Sequence, residues 1–488
     1  MSTLRVAVVV ERTPVPAWIG TLVRRLTTLA FDVHLYVAPP DRRERRPALY
    51  RAYEWLDGRI FRRDDDALAP VRALDVLPLT ALGEADVVVE TRPLEAHSVA
   101  RYGAWTLSHV DLFWEMHRGT TYRTTVVAHL PDRDCRLVYE SRGRPDRTSL
   151  HRSRNEAYWK VSGAVVRALQ QLRERGPAYL QSRPSYAETL PLPEAPRPGT
   201  VLRHTGRVWW GVVRRRLEKV KRREEWFVAA RRRGSGDDFH RFDARAGEDF
   251  ADPFAFEHDG ETYVFFERLA PRAGRASIAC VRVDHSGRPL ERPRTVLAPD
   301  YHVSYPFVFR RGGEIYMIPE SREHATVDLY RATDFPSHWV LEAHLLSGVR
   351  AVDATLLEDA SQLWLFLNVA EPGASINDEL HVYMSSALAG PWSPHRENPV
   401  VSDVARARPA GRIFRRDGML IRPSQDCSSG YGRAIVLNRI DVLTASEYRE
   451  TPIERIEPDW APGLVGTHTY NATDRLEVVD GFHLAPRR

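Results

Sequence analysis

Cysteine is scarce: three residues in 488. Cys135, Cys280 and Cys427 are too widely spaced for a disulfide framework or a zinc pattern. Long apolar runs are also lacking, and with 28% charged residues no segment reads as a bilayer-spanning helix. Residues 1 to 30 contain Glu11 and no small-residue cleavage site behind an apolar core, so no secretory leader is expected. The expected location is therefore the cytoplasm, and the sequon Asn471-Ala472-Thr473 reads as chance. Glycine-rich phosphate loops are missing too. The first apolar run, Leu4 to Val10, is followed by Glu11-Arg12-Thr13-Pro14, which excludes Rossmann and Walker nucleotide sites there. Net charge is only +5, with a pI near 9.1. That is solvated surface for the most part, and no nucleic-acid recognition module accompanies it. No cofactor and no metal are expected.

What is present is a repeated hairpin. In Asp252-Pro253-Phe254-Ala255-Phe256 and Tyr263-Val264-Phe265-Phe266-Glu267, apolar residues alternate around the turn Asp259-Gly260. The frame returns at Tyr305-Pro306-Phe307 through Gly312-Gly313 to Pro319-Glu320, and again from Val352-Asp353-Ala354 to Leu367-Asn368. A looser copy runs from Ala410 through Asp417-Gly418 to Gln425, and the weakest from His468 to Gly481. The spacing of roughly 50 to 60 residues is that of a propeller array. Five copies, each a hairpin plus an outer pair, predict a five-bladed all-β propeller over residues 225–488 rather than a generic sandwich. Glu225 to Arg231 reads as an extra strand that pairs with the last blade and closes the ring.

Hairpin geometry places the start of strand one and the end of strand two at one edge. Asp252 with Glu267, Tyr305 with Glu320, Asp353 with Asn368 and Ala410 with Gln425 are expected to ring one mouth of the central channel, joined by His468. Arg408, Arg422 and Asp426 add charge nearby. Two buried arginines would need carboxylate partners, from Glu267, Glu320 or Asp426, or else an anionic ligand. The alternatives are a ring of structural ion pairs and a site for a sugar carrying phosphate or carboxylate.

Residues 1–185 read as α/β. Apolar strands at Leu4–Val10, Asp32–Val37 and Ala85–Glu90 alternate with helical patterns at Pro16–Phe31 and Asn155–Arg173, which favours an open doubly wound sheet. Residues 186–224 form a proline-rich linker followed by a basic helix at 208–223. Trp209, Val213, Leu217 and Val220 fall on one stripe of that helix. It reads as a packing helix with a solvated basic face; the alternative is a helix lying on an anionic membrane surface.

Two resemblances can be named. Gly103-Ala104-Trp105-Thr106-Leu107-Ser108-His109, then Arg118-Gly119, Asp134 and Asp146-Arg147-Thr148-Ser149-Leu150 resemble the formyltransferase fold. That family uses an Asn, a His and an Asp. His109 and Asp134 match the last two, but Leu107 stands at the Asn position and Arg136 at a family glycine. The resemblance implies a formyltransferase-like fold with a degenerate site. The propeller resembles the N-terminal domain of glucosamine inositolphosphorylceramide transferases, through Asp252-Pro253-Phe254, Tyr305-Pro306, Tyr316-Met317-Ile318-Pro319-Glu320, Val352-Asp353-Ala354, Arg422-Pro423-Ser424-Gln425-Asp426 and Gly466-Thr467-His468-Thr469. More distantly it resembles five-bladed glycosidases of arabinosides, xylosides and fructosides. Asp252 matches their first carboxylate, whereas Tyr305 and Asp353 depart from the rest of the set.

The function implied is a glycosyltransferase-like enzyme of glycan or glycoconjugate biosynthesis, acting on a sugar or activated sugar. Asp252 is the candidate base, and Glu320 or Asp353 the candidate acid. Glu267, Tyr305, Asn368, Arg408, Arg422, Gln425, Asp426 and His468 are candidate substrate contacts. The alternatives are a propeller glycosidase, a non-catalytic sugar-binding module, and a formyltransferase acting on a sugar nucleotide. An Asp252 locked in a bidentate pair with Arg422 would exclude it as a base.

Overall fold

The computed structural model describes residues 3–10, 14–38, 46–71, 84–91, 100–108, 110–187, 194–270 and 273–487. It divides into two compact units. The first comprises Met1–Arg215 with Glu371–Ser375, and the second Arg216–Ala370 with Ile376–Arg488.

The first unit is built on a six-stranded sheet. Arg5–Val10 lies between Asp32–Val37 and Val87–Glu90, all parallel, and Ala104–Leu107 extends the parallel run. Tyr122–His129 and Cys135–Gly143 complete the sheet antiparallel. The central strands are almost wholly apolar because helices cover them. Ala17–Thr28 supplies Ile19, Leu22 and Leu26 to that core, and Leu150–Arg175 supplies Val161, Val165 and Leu169. The α/β reading of this segment is met. Of the formyltransferase-type pair, His109 lies outside the described residues. Asp134 sits at a hairpin turn in an ion pair with Arg136, Nη2 to Oδ2 2.5 Å.

The helix Pro198–Lys221, whose first 18 residues belong to this unit and whose last six belong to the second, buries only Val201 and His204. Trp209, Trp210, Val213, Leu217 and Val220 are exposed. The predicted apolar stripe is thus exposed among the described residues.

The second unit contains five antiparallel sheets, one per predicted hairpin copy. Blade 1 runs Asp249–His258, Glu261–Leu269, Ser277–Val283, Arg294–Leu297 from the inside out. Blade 2 starts with Ser304–Arg311 and Glu314–Ser321, and blade 3 with Ala351–Asp359 and Gln362–Val369. Blade 4 has only Phe414–Arg416 opposite Met419–Asp426, which explains why its repeat was loose in the sequence. Blade 5 joins the two ends of the propeller. Tyr470–Ala472 pairs with Leu476–Pro486, which in turn pairs with Arg222–Arg232, with Ala229 opposite Val479. Val228, Val478 and Phe250 bury their side chains in one cluster around that closure. The ring is therefore sealed by backbone ladders that leave neither terminal strand as an open edge.

A bulge recurs at the same point in three blades. Ladder pairing skips between Ala251 and Phe254, between Ser304 and Phe307, and between Val352 and Thr355. The first residue inside each skip is left-handed: Asp252 at φ 52°, Tyr305 at 46° and Asp353 at 54°. Such conformations cost of order 1–3 kcal/mol each for a residue with a side chain, and persist where surroundings enforce them. Asp tolerates the region better than Tyr. Tyr305 is held by its hydroxyl, which meets Thr355 Oγ1 at 2.8 Å and accepts the Gly411 N–H at 2.7 Å. Gly411, at φ 134°, has no room for a Cβ, which would lie 2.0 Å from the Tyr470 carbonyl oxygen.

Arg422 and Asp426 are not part of any ring of mouth residues, and the sequence expectation for them is corrected. Arg422 is fully buried in blade 4, forked onto Glu450 of the outermost strand (Nε to Oε2 2.8 Å, Nη2 to Oε1 2.7 Å). Asp426 turns outward to Arg455 and caps the Ser428 N–H. Strand alternation explains both, because the side chains that flank Gln425 in sequence leave the opposite face of the sheet.

Removing one partner of the Arg422–Glu450 pair strands the other charge. Arg422→Ala is expected to lower unfolding free energy by about 3–5 kcal/mol in urea titrations. The double variant Arg422→Met, Glu450→Leu is expected to recover most of it. An unchanged midpoint for the single variant would show the pair to be dispensable. Tyr305→Phe should cost about 1–3 kcal/mol through the stranded Gly411 N–H, read in the same titration.

Candidate functional site

The bulges bring one polar cluster together. Asp252 accepts the Thr469 hydroxyl at 2.8 Å and the Tyr305 N–H at 3.3 Å, and stands 3.6 Å from His468 Nε2. His468 Nδ1 lies 2.6 Å from Asp480 Oδ2. Asp480 is itself wholly buried, and also accepts the backbone N–H groups of Asp252, His468 and Thr469. On the other side, Arg408 donates to Asp353 through Nε at 2.5 Å and reaches Asn377 Oδ1 at 2.9 Å. Its Nη2 is 3.9 Å from Glu320. Gln425 Nε2 bridges Asp353 Oδ2 at 3.1 Å and the Pro409 carbonyl at 2.9 Å. Asn368 donates to the Ile376 carbonyl, and its Oδ1 is buried with no hydrogen-bond partner among the described residues.

The ladder explains this convergence. Ala251 faces Glu267, Ser304 faces Glu320 and Val352 faces Asn368. In blade 4, Arg408 occupies the same station, its carbonyl receiving the Gln425 N–H at 2.7 Å. The sequence had put Ala410 opposite Gln425, two residues away. Asp252, Glu267, Glu320, Asp353 and His468 lie close enough to act on one another electrostatically, and Gln425 joins them through its hydrogen bond to Asp353. Tyr305 is different: wholly buried, with its hydroxyl already engaged, it serves as a wall and offers no contact to substrate.

Several members went unrecognised in the sequence. Asp480, Thr469 and Asn377 are polar partners of candidates that were named. Trp226 packs 4.4 Å from the His468 ring, and Tyr431 lies 5.3 Å from it. The Tyr431 ring sits under the Arg408 guanidinium at 4.9 Å, and the residue is 42% exposed. These two rings form an aromatic border on the solvent side of an otherwise buried cluster. The one available signal was the lone acid of Val479-Asp480-Gly481, facing His468 across the weakest hairpin.

The carboxyl groups differ in protonation. Burial lifts Asp252, the facing His468 holds it down, and nearby Asp353 and Asp480 raise it, for a net position of about 6. Burial lifts Glu320 further, and Asp353 adds to this more than Arg408 takes away, to about 8. Glu267 is pushed well above its ordinary range by burial and then by Asp252 and Glu320. Burial works against a charged His468, but Asp480 and Asp252 outweigh it and bring it to about 9. At neutral pH, Asp252 is therefore an anion able to take a proton or attack, and Glu320 is an acid able to give one. Asp353 is spent on Arg408 and Gln425, which removes it as a candidate acid.

Asp252, His468 and Asp480 also present ligand atoms within 4.8 Å of one another, enough for a cation. The 2.6 Å contact between His468 and Asp480 instead carries a proton on Nδ1.

Residues 242–462 match the family model described as glucosamine inositolphosphorylceramide transferase 1, N-terminal. Among curated relatives, the glucosamine inositolphosphorylceramide transferase 1 of Oryza sativa subsp. japonica is 38% identical over 206 residues, 42% of this chain and 28% of the relative. That of Arabidopsis thaliana is 37% identical over 206 residues, 42% of this chain and 27% of the relative. The chain thus spans little more than a quarter of their length. Among solved structures, an exo-beta-1,3-galactanase from Clostridium thermocellum matches at 16% identity, TM-score 0.33, covering 42% of this chain and 49% of that one. Another is a family 117 glycoside hydrolase produced by Zobellia galactanivorans, at 11% identity, TM-score 0.34, covering 55% and 91%. Over residues 242–462 the propeller of this protein is thus similar to the N-terminal domain of glucosamine inositolphosphorylceramide transferase 1.

Proposed function

We propose that the propeller handles a neutral or amino-bearing glycosyl unit at the Asp252 cluster, as a glycosyl-transferring domain of glycoconjugate biosynthesis. The observation that carries this is two buried carboxyl groups with unequal partners, Asp252 facing His468 at 3.6 Å and Glu320 only 3.9 Å from an Arg408 already engaged by Asp353, which favours the anion at Asp252 and the acid at Glu320. In this reading Asp252 accepts the proton of an acceptor hydroxyl as the new glycosidic bond forms. Glu320 protonates the oxygen that departs from the anomeric carbon. Protonated His468 keeps Asp252 anionic, and the Trp226 and Tyr431 rings offer faces on which a sugar can stack. The names of the plant relatives support transfer.

The charge balance argues against a sugar phosphate in the cluster itself. Arg408 is neutralised by Asp353 and His468 by Asp480, which leaves Asp252 as excess negative charge. A phosphate at Asp252 would meet a carboxylate, and the further cation that acts on the cluster, Arg322, does so at Glu320. This replaces the expectation that Arg408 or Arg422 waits for an anionic donor. One observation favours a hydrolytic second reading: a protonated Glu320 suits a glycosidic leaving oxygen, which needs an acid, better than a phosphate leaving group, which does not. The first unit is read as a formyltransferase-like scaffold without formyl chemistry. Buried Leu107 supplies no amide there, and Asp134 is paired with Arg136.

The test is a calorimetric and thermal-shift screen of amino sugars, neutral oligosaccharides and nucleotide sugars. Asp252→Asn is expected to bind the hit as wild type does and to lose turnover by about 10²–10⁴-fold. Binding without turnover in both proteins would make the domain a recognition module, and a hit on neutral glycans with release of free sugar would favour the hydrolase. For an active protein, kcat/KM should pass through a maximum between pH 6 and pH 8, the positions of Asp252 and Glu320. A profile flat across that window would remove the pair from the chemistry.

Stability gives an independent reading. A carboxyl raised in the folded state contributes stability that is complete at low pH and is lost as pH rises through its folded value. Glu320→Gln, which cannot ionise, should therefore melt close to wild type at pH 4 and above it at pH 9. Parallel melting curves at both pH values would place Glu320 in a less buried setting than described.

A further inference from the structure

The Pro198–Lys221 helix turns a second, unpartnered face outward. At about 100° per residue, Leu202, Trp209, Trp210, Val213, Leu217 and Val220 fall within an arc about 100° wide. All six are solvent-exposed, from 44% for Val213 to 71% for Val220. The buried residues of the helix, Val201 and His204, lie on the other side. Arg203, Arg207, Arg214 and Lys221 follow one border of the arc and Arg216 the other, and Glu218 is the only acid in the helix. Two adjacent tryptophans on a surface are not explained by folding, since exposure forgoes the burial that large rings supply.

We propose that this helix lies flat on an anionic lipid bilayer surface, with the tryptophan face sunk into the headgroup boundary and the arginine borders over the phosphates. Three observations select that occupant. The arc is broad, apolar and rimmed by cations, which is the pattern of an interfacial helix. No described helix is long and apolar enough to cross a membrane, so the helix lies on the surface and does not span it. A second copy of the chain is a poor partner, because pairing two such faces would bring two arginine borders together. Anionic headgroups satisfy both halves of the pattern, the charge at the borders and the apolar surface between them.

The experiment is co-sedimentation of the full chain with phosphatidylserine-rich vesicles and with pure phosphatidylcholine vesicles. Wild type should pellet with the former, and raising the salt concentration should weaken that binding by about tenfold. Trp210→Glu with Leu217→Glu should bring pelleting to background while the circular dichroism spectrum and melting temperature stay as in wild type. Arg216→Gln with Lys221→Gln should lower binding to the serine lipid while leaving the fold intact, and covers the case in which the first double variant misfolds. Failure of wild type to bind phosphatidylserine vesicles would overturn the proposal. So would equal binding by the Trp210/Leu217 variant. A wild-type dimer in light scattering that becomes monomeric in that variant would assign the face to a second copy instead.

Discussion

The propeller depends on how left-handed bulges find partners for the backbone groups they release. A bulge takes one N–H out of the ladder, and a buried N–H without an acceptor is costly. Here the neighbouring blade supplies the acceptor. Asp480 of blade 5 receives the Asp252 N–H of blade 1, and Asp252 receives the Tyr305 N–H of blade 2. Tyr305 then reaches across to Thr355 of blade 3 and Gly411 of blade 4 through its hydroxyl. Carboxylates are drawn into the interior because the bulged backbone needs acceptors there, and reactive groups accumulate where the fold needs them.

That origin explains the uneven protonation. Asp480 and Asp353 each carry structural duties and have cationic partners at close range. Glu320 lies at the far reach of Arg408, and Glu267 at 3.5 Å from His302. Groups with loose partners and deep burial shift upward, since desolvation penalises the anion and little opposes it. A cluster assembled to satisfy amides thus contains acids and bases side by side.

How much of this the sequence disclosed varies with distance along the chain. Period-two hairpins around Asp-Gly and Gly-Gly turns are local signals, so the blades, the closing strand and the stations of Asp252, Glu267 and Glu320 could be read directly. Partners separated by long stretches could not. Arg422 looked like a mouth residue because Gln425 stands three positions on, yet its acceptor Glu450 lies on the outermost strand of the same blade. Arg408 and Pro409 precede a short inner strand, so their register came out two residues off in the sequence. Trp226 and Tyr431 carry no periodic mark that separates a border of a site from ordinary strand and loop residues. The apolar stripe on the Pro198–Lys221 helix was visible as a stripe, but whether such a face is covered depends on tertiary packing alone.

The closing sheet has a consequence for biosynthesis. Blade 5 takes two of its four strands from before blade 1 and two from after blade 4. Its core residues Val228 and Val478 therefore meet only when the whole propeller sequence is in place. Until then the 11-residue strand Arg222–Arg232 is paired only with the two-residue strand His240–Arg241, and the five-membered ring remains an open arc. Completion of the ring is a late, long-range event, and the Asp480–His468–Asp252 contacts arise with it. The Asp480–His468–Asp252 side of the candidate site thus waits on the last strand, whereas the Arg408–Asp353–Gln425 side is encoded before it.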